Sequence, residues 1–328
     1  MIPAASAGLC PHCATPVAAT DNFCERCGHE LAVIRVSAAS SAAAPCQNCG
    51  SSAMTADGYC EQCGHKALSG RDHLEIDLGS LAGVTDRGRH HHRNEDAMAL
   101  ATTATPAGPV ALAVVCDGVS TSRRPDEASL AAAETALRVL AAEVRTGSSA
   151  AAALTSAAAA AQKTVGDMAA GSEDAPATTI VCACVATEAV TVCWVGDSRA
   201  YWLPADGREP RLLTRDDSLG EDLVEAGALT ETEAVESPHG HVLTRWLGAD
   251  AERAEPHTTS FEPPGPGVLL LCSDGLWNYQ TSATGLAELL PPATFENLAS
   301  AAAGLVEFAL DCGGEDNITA VLASFPPR

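Results

Sequence analysis

Four Cys-x2-Cys pairs fall within the first 63 residues, and no other feature narrows the possible folds so far. Cys10 and Cys13 are followed ten residues later by Cys24 and Cys27; Cys46 and Cys49 are followed, again after ten, by Cys60 and Cys63. Both units end alike, in Cys24-Glu25-Arg26-Cys27-Gly28-His29 and in Cys60-Glu61-Gln62-Cys63-Gly64-His65. The stretch is therefore an internal duplication. A Cys-x2-Cys turn presents two thiolates to one tetrahedral ion, and two such turns supply the four ligands of a closed zinc site. Each unit is too short to fold by apolar burial alone, so the ion must supply folding free energy. A reactive dithiol does not come four at a time at matched spacing. His12, His29 and His65 adjoin ligands and are read as bystanders. A closed site has no open coordination position, so the expected use is recruitment or regulation, not catalysis. The reading is two structural zinc ribbons, over 1–33 and 46–68, joined by an Ala/Ser-rich linker over 34–45.

The remaining six of the 14 cysteines (Cys116, Cys182, Cys184, Cys193, Cys272, Cys312) are scattered, mostly in apolar runs, and read as small core residues. No basic n-region and apolar stretch opens the chain, so no secretion signal and no disulfide framework are expected, and the protein is read as cytoplasmic. No apolar run reaches the ~18–20 residues of a membrane span. The net charge is −23, of which residues 1–70, with 3 basic and 5 acidic side chains, contribute little. Such acidity repels phosphate backbones and argues against nucleic acid as a ligand.

A hinge around Leu68–Asp72 leads into a main domain over 74–326. Val110–Cys116 and Val268–Cys272 are continuous apolar runs, read as buried strands. Ala177–Thr187 and Ala189–Val195 are rich in β-branched residues and read as a strand pair. Asp126–Arg145 reads as a helix started by Pro125 or Asp126, with Leu130, Ala133, Leu137, Leu140 and Val144 on one face. Ser148–Met168 reads as a second helix. Thr214–Leu247 is charged and reads as a mostly helical excursion broken at Gly227. Together these elements predict an α+β layered sandwich.

Acidic residues stand where the apolar strands begin or end. Asp117-Gly118 follows one run, Ser273-Asp274-Gly275 another; Gly196-Asp197-Ser198-Arg199 interrupts the strand pair; Asp316-Asn317 precedes the last run, and Glu95-Asp96 follows a basic stretch. Any one Asp-Gly could be a turn. Converging carboxylates repel one another unless a cation lies among them, and all-oxygen ligation suits Mg2+ or Mn2+. Two such ions can activate a water and neutralise a phosphoryl group. There is no Gly-x-Ser-x-Gly elbow. Cys193-x5-Arg199 matches the spacing of a cysteine-dependent phosphatase loop, but Cys193 lies in a strand pattern and Asp197 would put negative charge inside an anion cradle.

With Asn94-Glu95-Asp96, Val115-Cys116-Asp117-Gly118, Ala177-Thr178-Thr179, Gly196-Asp197-Ser198-Arg199-Ala200-Tyr201, Ser273-Asp274-Gly275-Leu276-Trp277 and Asp316-Asn317-Ile318-Thr319 in this order, the chain resembles the metal-dependent Ser/Thr protein phosphatases of type 2C (the PPM family) in their bacterial form. The resemblance spans about residues 80–325. It implies a four-layer α-β-β-α sandwich, preceded here by the two ribbons, with metals at one end. It implies that Asp117 bridges two Mn2+ or Mg2+ ions, that the Gly118 carbonyl holds the first, and that Asp274 and Asp316 complete the second. Asp197 with Asp274 would hold a third, weaker ion, and Glu95 and Asp96 would orient metal-bound waters. It implies attack on phosphoserine and phosphothreonine by a metal-bridging hydroxide without a phosphoenzyme, and phosphoprotein substrates; the partner to which the ribbons would dock the enzyme is read as a Ser/Thr kinase signalling complex. Thr214–Leu247 aligns with the flap beside the active site. The chain departs from the family pattern at three places: His91 stands where a phosphate-clamping Arg is usual, with Arg93 close by; Val119-Ser120-Thr121-Ser122 replaces Met-Gly-Gly-His; and Asp216-Asp217-Ser218 replaces Asp-His-Ser. An inactive phosphatase-like domain that binds phosphoproteins is the alternative these departures leave open.

Overall fold

Alternation within the apolar runs decides the architecture, because each strand has two apolar faces and both must be covered. The computed structural model describes residues 8–10, 13–17, 21, 23–28, 32–36, 49, 51–53, 55, 60–64 and 70–327, apart from 106, 170–174, 231–232, 235–236, 238–239, 253, 291–293 and 295. Its elements are β1 (Gly8–Leu9), β2 (Pro16–Val17), β3 (Ala32–Val36), β4 (His73–Asp77), β5 (Leu81–Asp86), β6 (Asp96–Thr105), β7 (Gly108–Asp117), α1 (Pro125–Arg145), α2 (Ala150–Asp167), β8 (Ala177–Thr178), β9 (Ile180–Val185), β10 (Val190–Val195), β11 (Arg199–Pro204), β12 (Arg211–Leu212), α3 (Leu219–Glu225), β13 (Leu247–Gly248), β14 (His257–Phe261), β15 (Gly267–Cys272), α4 (Asp274–Trp277), α5 (Ala283–Leu289), α6 (Leu298–Asp311) and β16 (Ile318–Phe325).

Two six-stranded antiparallel sheets form, in the orders β14-β10-β9-β7-β6-β3 and β12-β11-β15-β16-β5-β4. Met98, Leu100, Ala111, Ala113, Val115, Leu269, Leu271 and Val321 pack between the sheets. The alternate residues Ala97, Ala99, Leu112, Val114 and Cys116 face α1 and α2. On the other side Leu270, Cys272, Ala320 and Leu322 face α6. The result is the four-layer α-β-β-α sandwich expected. α1 begins at Pro125 with Asp126 and Glu127 in its first turn, where the helix dipole favours acids. The Ser149 hydroxyl caps α2 by accepting from the Ala152 amide. Cys116, Cys182, Cys184, Cys193 and Cys272 are buried core thiols, as read, but Cys312 is exposed, because it caps the C-terminal end of α6.

Two differences from the sequence reading concern the connections. Ala32–Val36 is a strand, register-paired to β6 from Ala32↔Thr103 to Val36↔Ala99. The boundary expected between residues 33 and 34 falls inside it, while Ser37–Pro45 lies outside the described residues. Five residues of weak alternation do not reveal a partner that is distant in sequence. At the hinge, Arg71 and Asp72 are buried: Arg71 donates to the Asp96 carbonyl and to Ser129 Oγ, and its own carbonyl accepts from Asn94. The excursion is also less helical than its charge pattern suggests. Its named helix is α3, and most of the other described residues between 214 and 247 are turns and extended chain.

Seven of the eight front cysteines gather into two sets. The sulfurs of Cys10, Cys13, Cys24 and Cys27 lie within 4.8 Å of one another, as do those of Cys49, Cys60 and Cys63; Cys46 and the three neighbouring histidines lie outside the described residues. Sulfur separations are 3.7 Å for Cys10–Cys27, 3.5 Å for Cys13–Cys24 and 3.4 Å for Cys49–Cys60. A tetrahedral ion with Zn–S near ~2.3 Å spaces its sulfurs about 3.8 Å apart, so the cages match zinc with slight expansion. Hydrogen bonds from Thr15, side chain then backbone, pull the Cys13 thiol down to about 6, toward the thiolate that a metal requires.

Candidate active site

At one end of the sandwich the strand termini bring five aspartates together. Asp96 opens β6 and Asp117 closes β7, and the two are register partners. Like charges placed directly opposite are unfavourable in a ladder. Asp274 is the first residue of α4, immediately beyond β15 and Ser273. Asp197 occupies the turn between β10 and β11, where Gly196 has φ 105. Asp316 precedes β16, so both sheets contribute. Asp96 and Asp197 are buried, whereas Asp117, Asp274 and Asp316 keep part of their surface open to the mouth.

The electrostatics record the crowding. Burial, then the charges of Asp96, Asp274, Asp197 and Asp316, push the Asp117 carboxyl well above the usual carboxylate range. Burial, then Asp274 and Asp216, do the same to Asp197. Asp274 is pushed up to about 7 by burial and by Asp316, although contact with Asp117 and the Gly275 amide opposes the shift. Asp96 also reaches about 7, through burial, against hydrogen bonds from Ser273 and Thr319 that favour its charged form. Without a cation this cluster holds protons at neutral pH.

Neighbouring polar groups fix these carboxylates. Ser273 Oγ and Thr319 Oγ1 each donate to Asp96 Oδ2 at 2.7 Å. Thr178 Oγ1 donates to the Asp117 carbonyl at 2.7 Å, and the Asp117 amide donates to Thr179 Oγ1. Asn317 joins the basic loop to β16: its Oδ1 accepts from the Glu95 amide at 2.6 Å, and its Nδ2 donates to the carbonyls of Arg87 and Arg93. Sequence reading gave Ser273, Thr319, Thr178 and Asn317 no roles. Their only signal is a small polar residue beside each motif aspartate.

The residues fit a divalent cation on two observations. Asp96 Oδ1 and Asp274 Oδ1 are buried and have no hydrogen-bond partner, leaving two carboxyl oxygens unsatisfied. At Gly118 a Cβ would press on the carbonyls of Pro125 and Glu95, so only glycine lets that backbone pass through the site. The carboxylates make a looser ring than the thiolates: among the described residues, only the cysteine sets bring three or more Cys, His or acidic ligand atoms within 4.8 Å. A looser oxygen ring suits a hard ion that retains waters.

Glu95 is buried and held by Arg93 Nε (2.9 Å) and Ser120 Oγ (2.6 Å). Arg93 also reaches Asp126 at 3.5 Å, so both groups it touches are acids. His91 Nε2 lies 3.1 Å from Asp316 Oδ1, at the edge of the ring. The Cys193 alternative fails on geometry: Cys193 is fully buried opposite Cys182, and Arg199 is bonded to Asp216 at 2.8 and 2.9 Å. Arg199 also lies 3.6 Å from the centre of the Trp277 ring, whose Nε1 donates to the Asp197 carbonyl. The altered flap motif is thus structural. Asp216 takes Arg199, Asp217 accepts from the Gly196 amide, His257 and Arg245, and Ser218 caps α3.

Comparison with known proteins agrees with this architecture. A family model described as protein phosphatase 2C matches residues 86–310, and one described as double zinc ribbon matches residues 10–64. The serine/threonine phosphatase stp of Listeria innocua is 33% identical over 247 residues, covering 73% of this chain and 92% of that protein. Among solved structures, serine/threonine phosphatase Stp1 from Staphylococcus aureus superposes with a TM-score of 0.63 at 27% identity, covering 77% of this chain and 98% of that one. The catalytic domain of serine threonine protein phosphatase PstP in complex with two manganese ions superposes with a TM-score of 0.59 at 26% identity, covering 75% and 97%.

Proposed function

The chain belongs to the protein phosphatase 2C family and is a metal-dependent protein serine/threonine phosphatase, and we propose that Asp117, the Gly118 carbonyl, Asp274 and Asp316 hold its two Mn2+ or Mg2+ ions. Asp197, facing Asp274, would hold a third ion more weakly. The observation that carries this reading is the pair of buried, unpartnered oxygens on Asp96 and Asp274 inside a ring of mutually repelling carboxylates. When bound, the ions supply Lewis-acid activation of water and neutralise charge on the phosphoryl group.

The chain's own groups do the positioning. Ser273 and Thr319 fix one Asp96 oxygen and leave the other free to accept from water. Arg93 and Ser120 hold Glu95 beside it. His91, beside Asp316, can donate to a phosphate oxygen bound there; Arg93, with Nε on Glu95 and Nη1 toward Asp126, has Nη2 left to offer. A single imidazole donor is a weaker clamp than a bidentate guanidinium, so phosphate binding falls mainly to the ions.

The ribbons would carry two structural zinc ions and dock the enzyme to its phosphoprotein substrates or to a Ser/Thr kinase complex. The setting proposed for the enzyme is the cytoplasm. No described helix is long and apolar enough to cross a membrane. The test is hydrolysis of a phosphothreonine peptide with Mn2+. Activity abolished by EDTA and by Asp274→Ala is expected. Activity that survives EDTA but not thiol alkylation would overturn the reading, and so would phosphopeptide binding without turnover.

A further inference from the structure

A groove of about 520 Å³ opens over the segment that follows Asp117-Gly118, lined by Val119, Ala177, Val242, Leu243, Trp246 and Asp250 among others. That volume lies within the ~300–1,000 Å³ typical of a small-ligand site. Its floor is built on the site's own backbone. Gly118 bridges to Thr178, and Thr178 is in turn the register partner of Leu247, the residue after Trp246. The Val119 amide donates to the Ala177 carbonyl at 3.0 Å, and Ser122 Oγ, another lining group, accepts from the Ala177 amide. The groove therefore keeps a fixed distance from Asp117. Trp246 is held by its Nε1–H, which donates to Asp250 Oδ1 at 3.0 Å. Val242 is 49% exposed, one of three large apolar side chains among the described residues left so open.

Resting on the phosphatase reading, we propose that this groove seats an aliphatic side chain of the substrate, one or two residues from the phosphothreonine, and that Trp246 and Val242 set the preference. Three facts favour this occupant. The groove is lined by Val119, Thr121 and Ser122 of the loop that leaves Asp117-Gly118, so a peptide whose phosphate reaches Asp117 lies beside it. An extended peptide advances about 3.3 Å per residue. Val119 is two residues from Asp117, so the first or second neighbour of the phosphoresidue falls over the groove. Finally, the charge at the rim, Asp250, belongs to an acidic chain of net charge −23, which disfavours an acidic neighbour in the substrate. The preference is particular to this chain, because Val119, Thr121 and Ser122 lie in the segment that departs from the family's glycine-rich pattern, and all three line the groove.

The experiment uses the full chain with Mn2+ and a set of phosphothreonine peptides in which Leu, Ser or Glu is placed in turn at each of the two positions on either side. The readout is the ratio of kcat/KM values between peptides, which does not depend on the active fraction of a preparation. We expect Leu to exceed Ser by on the order of tenfold at one position, with Glu lower still. In Trp246→Ala the Leu/Ser ratio should fall to within about twofold. Val242→Ser, at an exposed position, should lower the same ratio and decides the matter if Trp246→Ala does not fold. Equal rates for Leu and Ser in the wild type, or a ratio unchanged in both variants, overturn the groove assignment while leaving the phosphatase standing. Failure of the wild type to hydrolyse any peptide or p-nitrophenyl phosphate overturns the phosphatase reading and the groove with it.

Discussion

On the ligand sets proposed above, the cysteine-rich front and the acidic end of the sandwich would hold metal in opposite ways. Around the first cage the buried apolar cluster is Cys10, Val17 and Cys24, with Cys13 packed against it. That is too little apolar burial to order a chain, so the ion must hold the fold. In the sandwich, three extensive clusters cover both faces of both sheets before any cation arrives. There the fold holds the ligands, against their mutual repulsion. Loss of metal should therefore unfold one region and leave the other folded but inactive.

The largest effect should come from the front. Replacing Cys24 and Cys27 together by Ser would remove two of the four proposed ligands from a zinc site, whose ion typically contributes about 10–16 kcal/mol to folding. One zinc per chain should disappear from metal analysis, together with amide protection across residues 8–28. The thermal transition of the sandwich should persist. If that transition vanished as well, the two regions would be one cooperative unit and the contrast would fail.

At the acidic end, Asp117→Asn should cut turnover of a phosphothreonine peptide by about a thousandfold, equivalent to ~4 kcal/mol of barrier. The fold should survive, because the change removes a repulsive charge; circular dichroism of the metal-free variant should match the wild type. An unfolded variant, or one that retains activity, would contradict the division of labour.

A pH experiment sharpens the point. Asp96 and Asp274 carry folded-state values of about 7, above the usual carboxylate value of 3.8. Between these limits the folded, metal-free protein binds more protons than the unfolded chain. Stability from these groups is therefore complete at low pH and is lost as pH rises toward and through 7. In EDTA the melting midpoint should fall by several degrees between pH 5.5 and 8, and Asp96→Asn should flatten part of that slope. With Mn2+ in place of the protons the fall should shrink or reverse; identical slopes with and without the ion would sink the idea. The smallest effect is expected from His91→Ala, a rise of about three- to tenfold in KM for a phosphopeptide with little change in kcat, as for loss of one hydrogen bond.

Much of this was legible in the chain because the informative signals are local. A Cys-x2-Cys turn, an apolar run ending in Asp-Gly and the Pro125 start of α1 each announce themselves within a few residues. What escaped was non-local. Thr319 and Ser273 lie 46 positions apart yet close on one oxygen of Asp96. Arg71 reads as hinge because the Asp96 carbonyl it serves is 25 residues away. The flap misled for another reason: Arg215, Glu221 and Glu225 carry a helix-like charge pattern, but Arg215 lies before α3 and folds back onto it through ion pairs.

β3 bears on where the enzyme begins. Its five residues line up against Ala99–Thr103 of β6, with Ile34 and Val36 against the α1 side of the core. The chain returns at Arg71, on the carbonyl of Asp96 in the same strand. In chain order, then, the second ribbon falls between β3 and β4, the edge strands of the two different sheets, and only the first ribbon precedes every strand of the sandwich. A truncation starting at residue 32 keeps the sheet sealed; one starting at residue 74 strips β6 bare and creates a sticky border of the kind that invites association.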